Sequence, residues 1–272
     1  MKSSKTTPFI CLLLLTILLG SVLFLSKRNA TTQTSLSKQV EATPAISAAQ
    51  TLPPTTEPKS YHLEEDTIFS FLQGPKSQKR GLTWSGSWAN LILDGNAFGN
   101  FGCGLCCLAN VYSSLSEYQC SPVDMYHCAK EVSSYSPSYG IGAIDWPAMK
   151  DTLSYCGITS ELYNKPAEYC NFQDLMEQSY AAIVLISSQN STELWKDTPG
   201  HYVTIWNYDK DNDTVFLTDS GSPKRNRSQV SLEVVYNSLK TASSYQILSI
   251  TQYDTDENRW QWNQISEEWV AP

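Results

Sequence analysis

The chain has 272 residues, of which 41% are hydrophobic, 11% aromatic and 17% charged, with a formal net charge of −8. With 13 Gly and 13 Pro it is neither collagen-like nor a coiled coil, and its aromatic content excludes a fully disordered chain. Only six of the 19 basic and two of the 27 acidic residues precede Tyr61, so the remainder carries a net −12; so acidic a domain repels phosphate backbones, which excludes nucleic acid as a partner.

Along the chain, residues 1–8 form a short N-terminal flank. Phe9–Leu25 is an uninterrupted uncharged run rich in Leu and Ile, with Lys2 and Lys5 before it and Lys27 and Arg28 after. Seventeen residues lie at the lower edge of what crosses about 30 Å of hydrocarbon. Small residues for signal cleavage do not follow the run, so the sequence predicts an uncleaved signal-anchor over 9–25. That makes the chain a single-pass protein of the cell membrane, with its C-terminal part extracytoplasmic. Residues 26–60 are dominated by Thr, Ser, Pro, Ala and Gln and predict a flexible linker.

From Tyr61 the composition turns globular, with all eight Trp, all 15 Tyr and seven of the eight Cys. Leu105, Leu108, Val111, Tyr112 and Leu115 recur at helical spacing and predict a buried helix over 101–115. Ser121-Pro122-Val123-Asp124 reads as a helix cap and first turn. Segments 145–155 and 172–180 predict further helices. Ala181–Ile186 reads as a buried strand; His201–Tyr208, Thr214–Leu217 and Ser244–Thr251 read as later strands. Helices first and antiparallel strands afterwards predict an α+β domain over 61–255, followed by a tail over 256–272.

Three elements carry chemistry. Gly102-Cys103-Gly104 opens the best helix, and a helix N-terminus stabilises a thiolate; the flanking glycines would let a substrate approach the sulfur. Gly200-His201 opens a strand and Asp219-Ser220-Gly221 ends the next. In a hairpin of those strands, His201 and Asp219 fall side by side. A carboxylate there orients the imidazole to take the Cys103 proton, the Cys-His-Asp logic of papain-like hydrolases. Of the three histidines, His62 sits at the domain edge and His127 in a helix. Only His201 has this setting.

Gly102-Cys103-Gly104, the segment GHYVTIWNYD from Gly200 to Asp209 and VFLTDSG from Val215 to Gly221 resemble the bacteriocin-processing (double-glycine) peptidase-like family of papain-like cysteine peptidases. The resemblance implies a papain-like fold, with Cys103 as nucleophile, His201 as general base and then acid, and Asp219 as its orienter. It also implies a peptide or cell-wall peptide substrate, with no cofactor. The family usually places a Gln ahead of a Trp upstream of the nucleophile, and Leu82–Ala89 holds none. Gln73 and Gln78 lie outside the expected register, so the Ser85 hydroxyl or a backbone N–H near Cys103 is assigned to the oxyanion.

Other readings stay open. A murein amidase or endopeptidase would use the same triad, and a catalytically weak surface-binding module would keep only the fold. Cys103-Gly104-Leu105-Cys106 spells the CxxC of thiol–disulfide oxidoreductases but follows a loop rather than a strand. Cys103, Cys106, Cys107 and His127 do not have zinc spacing, because adjacent cysteines diverge by about 100° on a helix, so no metal is expected. The seven cysteines outside 9–25 fit either three disulfides with Cys103 free or buried thiols.

Overall fold

The computed structural model describes residues 62–272. The chain divides into two units, Met1–Thr55 and Thr56–Pro272, and the described residues fall in the second. The helices are α1 (Pro75–Lys79), α2 (Phe98–Phe101), α3 (Cys103–Leu115), α4 (Pro122–Val132), α5 (Trp146–Tyr155), α6 (Tyr169–Glu177) and α7 (Leu232–Ser238). Short strands β1 (Ser85–Gly86), β2 (Ile92–Leu93) and β3 (Asn96–Ala97) come early. They are followed by β4 (Cys156–Tyr163), β5 (Ala181–Ile186), β6 (His201–Asp209), β7 (Thr214–Thr218), β8 (Ser228–Ser231), β9 (Ile247–Asn258) and β10 (Trp269–Val270).

Six of these strands build one sheet in the order β4-β9-β5-β6-β7-β8, antiparallel throughout. Strand β5 shows why an unbroken apolar run is needed at its centre. Ala181, Ile183 and Leu185 enter the core shared with α3, α4 and α5, whereas Ala182, Val184 and Ile186 enter the core shared with α6 and α7. A strand with helices on both faces has no polar side. The α+β class and the helix-then-sheet order are those of the sequence reading.

Local chemistry explains the helix starts. Ser121 accepts from the Asp124 N–H, and Asp124 Oδ2 accepts from the Ser121 N–H at 2.7 Å. This is a capping box with Pro122 in the first turn. Asp145 Oδ1 caps α5 through the Ala148 N–H at 3.0 Å. At the start of α3 no side chain caps; Gly102 ends α2 and begins α3 in one step.

The reading of residues 9–25 as a signal-anchor is corrected. No helix among the described residues is long and apolar enough to cross a membrane. The longest of them, α3, has 13 residues, about 20 Å against about 30 Å of hydrocarbon. Residues 9–25 and the 26–60 linker lie outside the described residues. The membrane anchor, the membrane as partner and the single-pass localisation are therefore withdrawn.

The seven described cysteines are all free; five are buried, Cys103 is half-buried and Cys170 exposed. The structure thus takes the buried-thiol alternative rather than three disulfides.

Candidate active site

Sequence places Cys103 in the first turn of α3, and the fold brings the edge of the β6–β7 hairpin to it. Thr204 pairs with Thr218 in that hairpin, so His201 lies just before the paired stretch and Asp219 just after it. His201 Nε2–H donates to Asp219 Oδ1 at 2.8 Å, and the same imidazole acts electrostatically on the Cys103 thiol, whose own hydrogen bond goes to the Phe101 carbonyl at 3.9 Å. With Nε2 on the carboxylate, Nδ1 is the nitrogen left for sulfur.

The Asp219 carboxylate is saturated. Oδ1 also accepts from the Gly221 N–H at 2.9 Å, while Oδ2 accepts from Trp195 Nε1 at 3.0 Å and Arg225 Nε at 2.7 Å. Four donors fix the orientation of a fully buried group, as a buried charge requires. Its N–H donates to Asn226 Oδ1 at 3.0 Å, and Asn226 is tied in turn to the Ser70 carbonyl. Gly221 covers the His–Asp bond: a Cβ there would lie 2.9 Å from His201 Nε2.

The electrostatics follow from these contacts. Burial on its own raises a thiol, but at Cys103 the His201 imidazole outweighs it. The Tyr202 and Gly104 N–H groups add to the effect, and the thiol is held below its ordinary value. Burial on its own lowers an imidazole, but Asp219 and Cys103 push His201 up to about 10. Burial would raise the Asp219 carboxyl; His201 and Arg225 instead hold it far below the usual carboxylate range. The arrangement therefore favours thiolate beside imidazolium, a property of the pair rather than of either group. Cys106 and Cys107 contrast with this. Burial pushes both thiols up, Cys106 being fully and Cys107 almost fully enclosed one turn along α3.

The glycines beside Cys103 are required by packing. A Cβ at Gly104 would meet Met149 Cε, and 2.7 Å away Ile144 Cγ2, so Gly104 lets α3 seat against α5. A Cβ at Gly102 would run into the Phe98 ring.

Ser85 is fully buried in β1, where it pairs with Val270, and its hydroxyl donates to the Leu82 carbonyl. Its proton is thus committed away from an oxyanion. Gln73, which sequence register excluded, lies beside the triad instead. Its N–H donates to the Ser220 carbonyl at 2.9 Å, its Oε1 accepts from Ser220 Oγ at 2.8 Å, and its Nε2 donates to the Gly99 carbonyl at 3.0 Å. One amide hydrogen of Nε2 remains. The segment leading to Gln73 is held by Trp84, whose carbonyl accepts from the Leu72 N–H at 2.7 Å, and by Trp88, whose Nε1 donates to the Leu72 carbonyl at 2.8 Å. Nothing local in the sequence signals this placement of Gln73. Trp195, a single aromatic in a polar loop, carried no signal.

Residues 88–252 match the Peptidase_C39 like family, more than half of the chain. The chain belongs to that family. Membership places it among peptidase-like hydrolases and agrees with the resemblance drawn from the Cys103, His201 and Asp219 motifs. Among curated proteins none matches the chain. Among the described residues no group of three or more His, Cys, Asp or Glu side chains converges as metal ligands; His127 is exposed on α4, with its ring edge-on to Tyr126.

Proposed function

We propose that the protein is a cysteine peptidase that cleaves peptide bonds with Cys103 as nucleophile, His201 as proton carrier and Asp219 as the orienting group. The observation that carries this reading is that Cys103, at the start of a helix, faces a histidine locked onto a buried carboxylate, which holds its thiol below the ordinary value. The thiolate attacks the carbonyl carbon, and the carbonyl oxygen takes up the negative charge. The free N–H groups at the start of α3 and the remaining Gln73 amide hydrogen supply donors for that oxygen. His201 then gives its proton to the departing amine, leaving a thioester. Water, deprotonated by the same imidazole, releases the acid and restores the thiol.

Labelling of the full chain by iodoacetamide across pH, followed by peptide mapping, tests the reading. Cys103 should react rapidly well below the ordinary thiol pKa of roughly 8.5, and a His201→Ala variant should lose that acceleration. Slow labelling indifferent to His201 would remove the catalytic assignment. Cleavage of a peptide library against cell-wall fragments then separates a general peptidase from a murein hydrolase.

A further inference from the structure

His201 is flanked by a cation that none of the catalytic steps uses. In the sheet extension beside it, His201 pairs with Ile186 and Ile186 forms a bridge to Leu239, so Lys240 begins two chain spacings from the imidazole. The Lys240 N–H is fixed to the Leu185 carbonyl at 2.9 Å. Its side chain crosses the gap: Nζ lies 2.8 Å from where a Cβ on Gly200 would stand, and Gly200 immediately precedes His201. Any larger residue at 200 would therefore displace the ammonium.

Alternation along the strand puts Gly200 on the same face as Tyr202. Tyr202 packs there on Gly104 and edge-on to Trp146 at 4.9 Å, so this face is a wall beside the start of α3, where Cys103 lies. The turn after Lys240 closes the same wall, with the Ser243 N–H on the Lys240 carbonyl and Ser243 Oγ accepting from Trp146 Nε1 at 3.2 Å. Lys240 is half-buried and has no carboxylate within salt-bridge distance among the described residues. Asp145, whose charge reaches Tyr202, has Oδ1 engaged in capping α5. A half-buried ammonium with no carboxylate beside it is available to an anion carried by a ligand.

We propose that Lys240 is a specificity-determining residue that selects peptide substrates bearing a carboxylate next to the scissile bond, as an acidic side chain or as the chain terminus. This deepens the cysteine-peptidase reading and rests on it. The test compares alkylation of Cys103 in the full chain by iodoacetate, an anion, and by iodoacetamide, its neutral counterpart. The charge on His201 acts in every variant, so the change on altering Lys240 isolates that residue. In Lys240→Met the iodoacetate-to-iodoacetamide rate ratio should fall about three- to tenfold, as expected for a unit charge several ångströms away in partly screened surroundings. The iodoacetamide rate should stay as in the unaltered protein, and Lys240→Arg should restore the ratio. An unchanged ratio overturns the inference while leaving the triad intact; slow reaction of the unaltered protein with both reagents overturns the triad itself, and this inference with it. Protection of Cys103 by short peptides then identifies the source of the carboxylate. A glutamyl peptide amide that protects better than its glutaminyl counterpart assigns the side chain, and a free-acid alanyl peptide that protects better than its amide assigns the terminus. Equal protection by charged and neutral peptides overturns the substrate class.

Discussion

Replacing Cys103 by alanine should lower peptide hydrolysis by roughly 10⁴-fold or more, leaving only what substrate positioning and oxyanion donors supply. The side chain is half-buried and small, so far-ultraviolet circular dichroism should remain that of the unaltered protein. The unaltered enzyme should show a bell-shaped kcat/KM profile whose signs follow from the two shifts. As pH falls, Cys103 thiolate is protonated only below the ordinary thiol range, because its value is held down, and the acid limb appears there. As pH rises, activity persists until His201 loses its proton near 10, taking away the acid that the leaving amine needs. Rate measurements between pH 4 and 11 check this. A single rise centred on roughly 8.5, as for an unassisted thiol, would contradict the ion pair.

Asp219→Ala should be the most destabilising change at the site, about 3–5 kcal/mol by chemical denaturation. It strands the Arg225 guanidinium, the Trp195 indole N–H and the His201 imidazole, three donors aimed at one buried carboxylate. Asp219→Asn keeps an acceptor oxygen for His201 but turns an NH2 toward the Trp195 and Arg225 donors, so it should also lose stability, though less than the alanine variant. Both variants also differ from the unaltered protein in acid. The depressed Asp219 pKa contributes stability that is present above the unfolded value of about 3.9 and is lost as pH falls below it. Both variants should lack that part of the acid dependence. Equal denaturation midpoints for the alanine variant and the unaltered protein would show that the carboxylate bears no structural weight.

Elements whose local and tertiary preferences agree were readable from sequence. Helix α3 has the three-and-four spacing, α4 has its serine cap and proline, and β5 has an apolar run suited to two covered faces. The strands carrying His201 and Asp219 were readable for the same reason, and their juxtaposition follows from hairpin geometry. Strand β4 was not anticipated. Its pairing with β9 shifts register twice, which breaks the alternation that marks a strand. The helix expected over 172–180 starts three residues earlier, at Tyr169, and the strand expected over 244–251 runs from Ile247 to Asn258. Gln73 was invisible because nothing local brings it to Cys103. Thirty residues of intervening chain fold back through Leu72, Trp84 and Trp88 before it arrives. The role of Gly104 was misjudged because sequence shows a missing side chain but not the Met149 methyl that occupies its place.

The short strand β10 gives the site a dependence on timing. Val270 pairs with Ser85 and its carbonyl accepts from the Trp84 N–H at 2.7 Å. Trp84 sits at φ 65, an unfavourable conformation for a large side chain that neighbouring bonds must hold. Trp84 in turn anchors Leu72, next to Gln73. A growing chain therefore carries its nucleophile and histidine long before the residues that lock this platform have left the ribosome. Arrested chains ending before Trp269 should hydrolyse peptide far more slowly than chains that carry Trp269 and Val270.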